Sequence, residues 1–279
     1  MDQPLKPPCL HGPILLSMSK NARKLAGMKI TVLGCGTSTG VPMVGCECPV
    51  CSSDDPRDKR TRASILIRYN DHNVLVDTST DLREQALRHH IRRIDAVLFS
   101  HAHADHVNGI DDLRGFHFIH KDIVPCFASR TTLDTLQNGF SYIFDEHQSS
   151  GYTPLLYANE ISDPFELFGK IITPVPLLHG KTVSLGYRIG NFAYLTDCSA
   201  IPEPSLELLQ GLELLVIDGL RWAEHPFHFN IPGAIAAARG IHSPRTILTH
   251  LTHQIAYSEG NMLPPGVDLA YDGMEFDLQ

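Results

Sequence analysis

The sequence predicts an α/β protein in which mixed β-sheets are covered by helices. Short apolar runs with the composition of β-strands recur along the chain, and stretches with helical periodicity fall between them. Most of the apolar runs end in a residue able to bind a metal or phosphate. We therefore expect the functional groups to lie at the ends of the strands.

The length and composition predict one large domain rather than a disordered or fibrous chain. The 279 residues are 43% hydrophobic, which is enough to bury a sizeable core. The net charge of -8 disfavours an extended nucleic acid as partner, because a phosphate backbone attracts positive charge. No apolar run approaches the roughly 20 residues that cross a bilayer, and no secretory signal is visible. We expect a cytoplasmic protein without a membrane partner.

Eight strands are predicted from the apolar runs. The first, 29–33, leads into a glycine-rich turn at 34–40. The next two, 64–69 and 73–77, form a hairpin joined around residues 70–72. The remaining five end beside a His or an Asp and cover 96–99, 171–178, 192–196, 214–217 and 246–249.

Four helices are predicted between the strands, at 81–90, 130–140, 204–209 and 232–239. The last opens with Pro232, which is tolerated in a first helical turn. No repeat or low-complexity linker divides the chain. We expect residues 1–27 to be a poorly ordered extension and 28–279 to be the folded domain, and a translation start at Met28 is compatible with this division.

The strongest functional signal is the segment Ser-His-Ala-His-Ala-Asp-His at 100–106, directly after an apolar strand. His101 and His103 alternate along an extended backbone and therefore point the same way. A turn then lets Asp105 and His106 reach a second point nearby. This arrangement suits two divalent cations about 3.5–4 Å apart, the spacing of two-metal hydrolytic sites.

Two cations need more ligands than this segment supplies. His179, Asp197 and His250 each follow a predicted strand and have suitable chemistry. A single His or Asp after a strand is usually a cap or a turn former. Their shared position at strand ends nevertheless favours all three as further ligands.

Three of the seven cysteines, Cys46, Cys48 and Cys51, crowd into six residues. Three thiolates at this spacing fit a tetrahedral structural zinc that needs one more ligand. A redox pair of Cys48 and Cys51 is the alternative. It is less favoured because a dithiol needs no third cysteine and no thioredoxin-like surroundings are predicted.

The His-rich segment with a later His, Asp and His resembles the signature of the metallo-β-lactamase superfamily. Further segments resemble a narrower family within it, the phosphoribosyl 1,2-cyclic phosphate phosphodiesterases, from residue 28 to the C-terminus; these are 34–42, the cysteine cluster, 111–114, 225–229, 249–253 and 271–274. The resemblance implies an αββα sandwich with a binuclear site at one edge. It also allows a homodimer.

The resemblance implies a role for each matching residue. His101, His103 and His179 would hold one metal, and Asp105, His106 and His250 the other, with Asp197 between them. His253 would complete the structural zinc. His228 matches a catalytic histidine near the leaving group, and His225 is its rival.

These assignments predict a metal-dependent hydrolase of a small cyclic phosphodiester, with two manganese or zinc ions and one structural zinc. A water shared by the cations, acidified toward a pKa of about 7, would attack phosphorus, and His228 would protonate the leaving oxygen. Ser38, Thr39 and Arg114 are candidates to orient phosphate or brace ligands.

Three alternatives stay open: a tRNA 3′-processing type of nuclease, a thioester or lactone hydrolase, and a metal-bound protein without catalysis. A related cofactor-biosynthesis family has similar cysteines.

Overall fold

The computed structural model describes residues 27–144 and 155–279, which fold into a four-layered αββα sandwich. Only the last residue of the predicted extension at 1–27 belongs to the described part. No helix in the described ranges is both long and apolar enough to cross a membrane.

The first sheet contains seven strands in the order β14-β1-β2-β3-β4-β5-β6. β2 and β3 form the predicted hairpin, in which Tyr69 pairs with His72 and both intervening residues have positive φ. From β3 to β6 neighbouring strands are parallel, so their carboxyl ends reach the same edge. The strands are β1 Met28–Gly34, β2 Ser64–Tyr69, β3 His72–Val76, β4 Ala96–Leu98, β5 Val124–Ala128, β6 Leu156–Glu160 and β14 Glu275–Leu278.

The second sheet also contains seven strands, in the order β13-β12-β11-β10-β9-β8-β7. β7 to β10 are antiparallel neighbours, whereas β10 to β13 are parallel. The strands are β7 Phe165–Leu167, β8 Lys170–His179, β9 Thr182–Ile189, β10 Phe192–Leu195, β11 Leu214–Asp218, β12 Thr246–Thr249 and β13 Val267–Leu269.

Helices cover the outer faces of the two sheets. They are α1 Leu82–Arg88, α2 Ala104–Val107, α3 Leu113–His120, α4 Arg130–Gly139, α5 Ser141–Phe144, α6 Glu203–Glu207 and α7 Ile231–Ile241. Ser129 caps α4 through the amide of Thr132, and Asn230 caps α7 through the amide of Gly233. The four predicted helices are confirmed as α1, α4, α6 and α7.

Alternation along the strands builds the layers. In β2, Ile65 and Ile67 face the core between the sheets, while Leu66 packs in the outer layer with Leu82 of α1. The other outer layer joins β8, β10, β11 and β12 to α7. Because strands buried on both faces read as continuous apolar runs, the sequence predicted them well. All eight predicted strands are confirmed, with their ends shifted by at most a few residues.

Candidate active site

Six strands from the two sheets end at one edge of the sandwich, and an Asp or a His ends or follows each of these six strands. The residues are Asp77 after β3, His101 after β4, His179 in β8, Asp197 after β10, Asp218 in β11 and His250 after β12. Asp77, Asp197 and His250 have φ values of 63°, 52° and 59°. Left-handed backbone is costly for residues other than glycine, and such strain clusters at functional sites.

The first group of candidate metal donors consists of His101, His103, His179 and Asp197. One donor atom from each lies within 4.8 Å of all the others. The sequence placed His101 and His103 on one side of an extended segment, and their rings do meet at a centroid distance of 4.5 Å. His179 arrives from the other sheet, with its Nε2 3.3 Å from Nδ1 of His103.

The second group consists of Asp105, His106 and His250, again with donor atoms within 4.8 Å of one another. Asp105 and His106 lie in α2, which is the turn that the sequence required after His103. Asp197 faces both groups. Its carboxylate oxygens lie 3.9 Å from Nε2 of His101 in the first group, and 3.1 Å and 3.4 Å from Nε2 of His106 and His250 in the second. All seven predicted ligands therefore meet at one place.

Asp77, which the sequence analysis did not assign to the site, fixes the orientation of these ligands. Its buried carboxylate accepts hydrogen bonds from the amide and hydroxyl of Ser100, each at 2.7 Å, and from Nδ1 of His106 at 2.8 Å. Nδ1 of His101 lies 3.0 Å from the same Ser100 hydroxyl. In the same way, His179 donates from Nδ1 to the carbonyl of Phe227 at 2.8 Å. Such outer contacts leave Nε2 of each histidine to face the site.

The donor set fits divalent cations. Nε2 of His101, His106 and His250 is buried without a hydrogen-bond partner among the described residues. Buried polar atoms are normally paired, so three such ring nitrogens beside two carboxylates fit a site for cations. Burial, and then the nearby His106, hold the pKa of His101 well below its ordinary value. A neutral imidazole is the form that binds metal.

His228 lies beside the second donor group and is anchored by a buried carboxylate. Its Nδ1 donates to Asp218 at 2.6 Å, and its ring lies 4.8 Å from that of His250. Asp218 also accepts from the amide of Cys198 at 3.0 Å, and burial raises its pKa. Asp218 directly follows the predicted strand at 214–217, and it was not among the residues predicted for the site.

Of the other predicted residues, some lie beside His228 and one, Arg114, lies elsewhere. No carboxylate in the described ranges anchors His225. Its Nδ1 accepts from the Phe227 amide at 3.3 Å, and its pKa is lowered by burial and then by His228. Ser38 and Thr39 line a pocket beside His228, as a phosphate-orienting role requires. Arg114 does not: it lies on α3, pairs with Asp111 at 2.8 Å and lines a groove between α1 and α3. The spacing of the motif gave no information on which face of the helix it would occupy.

The three clustered cysteines meet the fourth ligand that the resemblance implied. Donor atoms of Cys46, Cys48, Cys51 and His253 lie within 4.8 Å of one another. Nδ1 of His253 is 3.3 Å from Sγ of Cys46 and 3.4 Å from Sγ of Cys48. A hydrogen bond from the Cys51 amide, followed by one from His253, lowers the pKa of Cys48 to about 6. This set is typical of structural zinc, and a histidine within it is superfluous for a dithiol.

Comparison with known proteins places the fold in a family. Residues 72–251 match the model of the beta-lactamase superfamily domain. The chain belongs to the metallo-β-lactamase superfamily. The fold and the donor clusters of this metallo-β-lactamase protein are those of a metal-dependent hydrolase.

Three relatives are informative. A solved structure described as a new diphosphatase from the PhnP family is 41% identical, with a TM-score of 0.84 over 90% of this chain and 98% of that chain. An octanoyltransferase of Porphyromonas gingivalis is 41% identical over 89% of this chain, which spans 51% of that protein. A coenzyme PQQ synthesis protein B of Rhodopseudomonas palustris is 26% identical over 90% of this chain and 100% of its own length. This last match agrees with the cofactor-biosynthesis relationship that the cysteines suggested.

Proposed function

We propose that this metallo-β-lactamase protein is a phosphodiesterase that hydrolyses a small cyclic phosphodiester such as phosphoribosyl 1,2-cyclic phosphate. The observation that carries this proposal is the Asp218–His228 pair beside seven metal donors. Cleavage of a phosphodiester needs a nucleophile on one side of phosphorus and a proton for the leaving oxygen on the other. The 41% identity to a diphosphatase of the PhnP family supports phosphorus chemistry.

We assign each ligand to one of two cations by the donor group in which it lies. His101, His103 and His179 would hold one manganese or zinc ion, and Asp105, His106 and His250 the other, with Asp197 facing both. When bound, two such cations supply hydroxide near neutral pH and neutralise charge on the phosphate. Asp77 keeps Nδ1 of His106 protonated, so that this ring presents only its Nε2 to the site.

His228 supplies the proton for the leaving group. Hydrolysis forms a bond from a water oxygen to phosphorus and breaks the bond from phosphorus to a sugar oxygen. The departing alkoxide is strongly basic and takes the proton from Nε2 of His228, because Nδ1 is committed to Asp218. Among the residues that the structure describes, no carboxylate orients His225, so we assign this role to His228.

The direct test is phosphorus NMR of manganese-loaded protein with α-D-ribose 1,2-cyclic phosphate 5-phosphate. Loss of the cyclic signal and growth of a phosphomonoester are expected with the intact protein and not with Asp197→Ala. Asp268→Ala is a matched control, because Asp268 is an exposed carboxylate on β13, away from the donors. Equal turnover by Asp197→Ala would contradict the proposal, and so would no turnover by fully metallated protein.

Hydrolysis of a thioester is the second candidate, favoured by the octanoyltransferase relative. This chain spans about half of that protein, so acyl chemistry is only a proposal for this chain. Incubation with octanoyl-coenzyme A and a thiol reagent separates the two candidates. The nuclease alternative is not supported, because the net charge of -8 repels an extended phosphate backbone.

We further propose that zinc held by the cysteine cluster is structural, that the protein works in the cytoplasm and that it is able to form a homodimer. None of the six cysteines in the described part of the chain forms a disulfide, as in a reducing compartment.

A further inference from the structure

A pocket of about 250 Å³ opens beside His228, and none of the seven candidate ligands of the two active-site cations lines it. We call it the Arg221 pocket. Its walls are the glycine-rich turn, the segment that follows β11 and the segment that follows His250. The polar residues that line it include Thr37, Ser38, Thr39, Arg221, His228 and Gln254. The volume is slightly below that of pockets for drug-sized ligands, so it suits a small metabolite.

The charge of this pocket differs from that of the rest of the molecule. Among the described residues that line it, none is acidic, although the chain as a whole has a net charge of -8. Arg221 supplies a permanent positive charge. Hydroxyl and amide donors surround that charge, which is the composition of a site for an anion.

The guanidinium of Arg221 is held in place by backbone carbonyls and not by a carboxylate among the described residues. Its Nη2 donates to the carbonyl of Glu224 at 3.0 Å, and its Nε contacts the carbonyl of Ala223 at 3.4 Å. Its own carbonyl accepts from the amide of Ile231 at 2.9 Å. No carboxylate in the described ranges forms an ion pair with it. The guanidinium is therefore preorganised and available for an anionic ligand.

The glycine-rich turn supplies hydroxyls to the lining of the Arg221 pocket. Thr37 is anchored by its amide, which donates to the carbonyl of Leu251 at 3.2 Å, and the Gly40 amide closes the turn onto Thr37 at 2.8 Å. The side-chain hydroxyls of Thr37 and Ser38 make no hydrogen bond within the described part of the chain. Two hydroxyl donors and a guanidinium thus line the same pocket as His228, the proposed proton donor.

We infer that the Arg221 pocket binds a second phosphate of the substrate, a phosphomonoester remote from the bond that is cleaved. Arg221 and the hydroxyls of Thr37 and Ser38 hold this group while the cyclic phosphodiester lies at the metal donors. Arg221 is then a specificity-determining residue that selects phosphorylated over unphosphorylated cyclic sugars. This inference rests on the proposed function, since it assigns the part of the substrate that the reacting centre leaves unbound.

The test compares two substrates that differ only in the remote group: α-D-ribose 1,2-cyclic phosphate with and without a 5-phosphate. The proteins are the wild type, Arg221→Gln, Arg221→Lys and the control Arg239→Gln, an exposed arginine of α7. For Arg221→Gln we expect kcat/KM to fall about 10- to 100-fold on the 5-phosphorylated substrate, mainly through KM. On the unphosphorylated substrate it stays at the wild-type value. Arg221→Lys recovers part of the loss.

A binding measurement separates failure of this inference from failure of the proposed function. Trp222, the only tryptophan of the chain, lies next to Arg221 and donates to Glu259 at 2.7 Å, so its fluorescence reports on this segment. Manganese-loaded protein is titrated with ribose 5-phosphate. The inference expects weaker binding to Arg221→Gln even if the wild type hydrolyses neither cyclic substrate, an outcome that refutes only the proposed function. Equal losses on both substrates, or unchanged ribose 5-phosphate affinity, would overturn the inference.

Discussion

Replacing Asp218 by Asn tests whether His228 acts as a proton donor. The carboxylate accepts from His228 at 2.6 Å and from the Cys198 amide at 3.0 Å, so the variant keeps the shape and removes the charge. A charge-assisted hydrogen bond is worth about 1.5–3 kcal/mol, which corresponds to roughly 10- to 150-fold in rate. The upper end of this range reaches the roughly 10²–10⁴-fold that a general acid contributes, so losing the hydrogen bond removes only part of the catalysis by His228. We expect kcat to fall by that factor on a substrate with a sugar alkoxide leaving group.

The assay uses two leaving groups. A nitrophenyl phosphodiester releases nitrophenolate, which needs no proton, so its hydrolysis by Asp218→Asn should fall by less than about threefold. Asp268→Asn serves as the control, because Asp268 is exposed on β13. Metal content is measured for each protein. Equal losses on both substrates at unchanged metal content would refute the reasoning, since Asp218 would then support the site as a whole.

Three further predictions test the supports of the site. Asp77→Asn weakens the hold on His106, so metal affinity measured by competition with a chelator should fall about 10- to 100-fold; unchanged affinity would dissociate Asp77 from the ligands. Gly109→Ala places a Cβ 2.0 Å from the carbonyl of Ser79 and should lower the free energy of unfolding by about 1–3 kcal/mol in urea, whereas Gly115→Ala, in open space on α3, should not. Zinc removal should expose the clustered thiols to a thiol reagent at neutral pH while the buried Cys126, whose pKa burial raises to about 12, reacts only on unfolding; equally fast reaction of all cysteines would contradict the zinc assignment.

The strands that the sequence predicted are those with a continuous apolar signal, such as β2 and β11. Six of the fourteen strands in the described part of the chain were missed, and three of the six carry local features that argue against a strand. β5 contains Pro125, β6 is polar along much of its length, and β7 has only three residues. Their pairing comes from neighbours far along the chain, which periodicity within one segment does not report.

The site was predictable where several ligands crowd together in the sequence, as at 100–106 and 46–51. Asp77 and Asp218 carry no such local signal. Each is a single acid at a strand end, where a turn or cap is the commoner role. Their partners lie 29 and 10 residues away, and only the folded sheets bring Asp77 to His106 and Asp218 to His228. Arg114 was a candidate to orient phosphate, but it lies in the groove between α1 and α3. Its position in a motif did not specify which face of the helix it would occupy.

The central claim is that water attacks phosphorus at this site, and hydrolysis in ¹⁸O-labelled water tests it most directly. Manganese-loaded wild-type protein is given α-D-ribose 1,2-cyclic phosphate 5-phosphate, and the product is followed by phosphorus NMR, in which a heavy oxygen shifts the signal of the phosphorus that carries it. The account predicts a phosphomonoester with one ¹⁸O on the newly formed phosphate. A product labelled on the sugar hydroxyl, or no phosphomonoester at all, would contradict it.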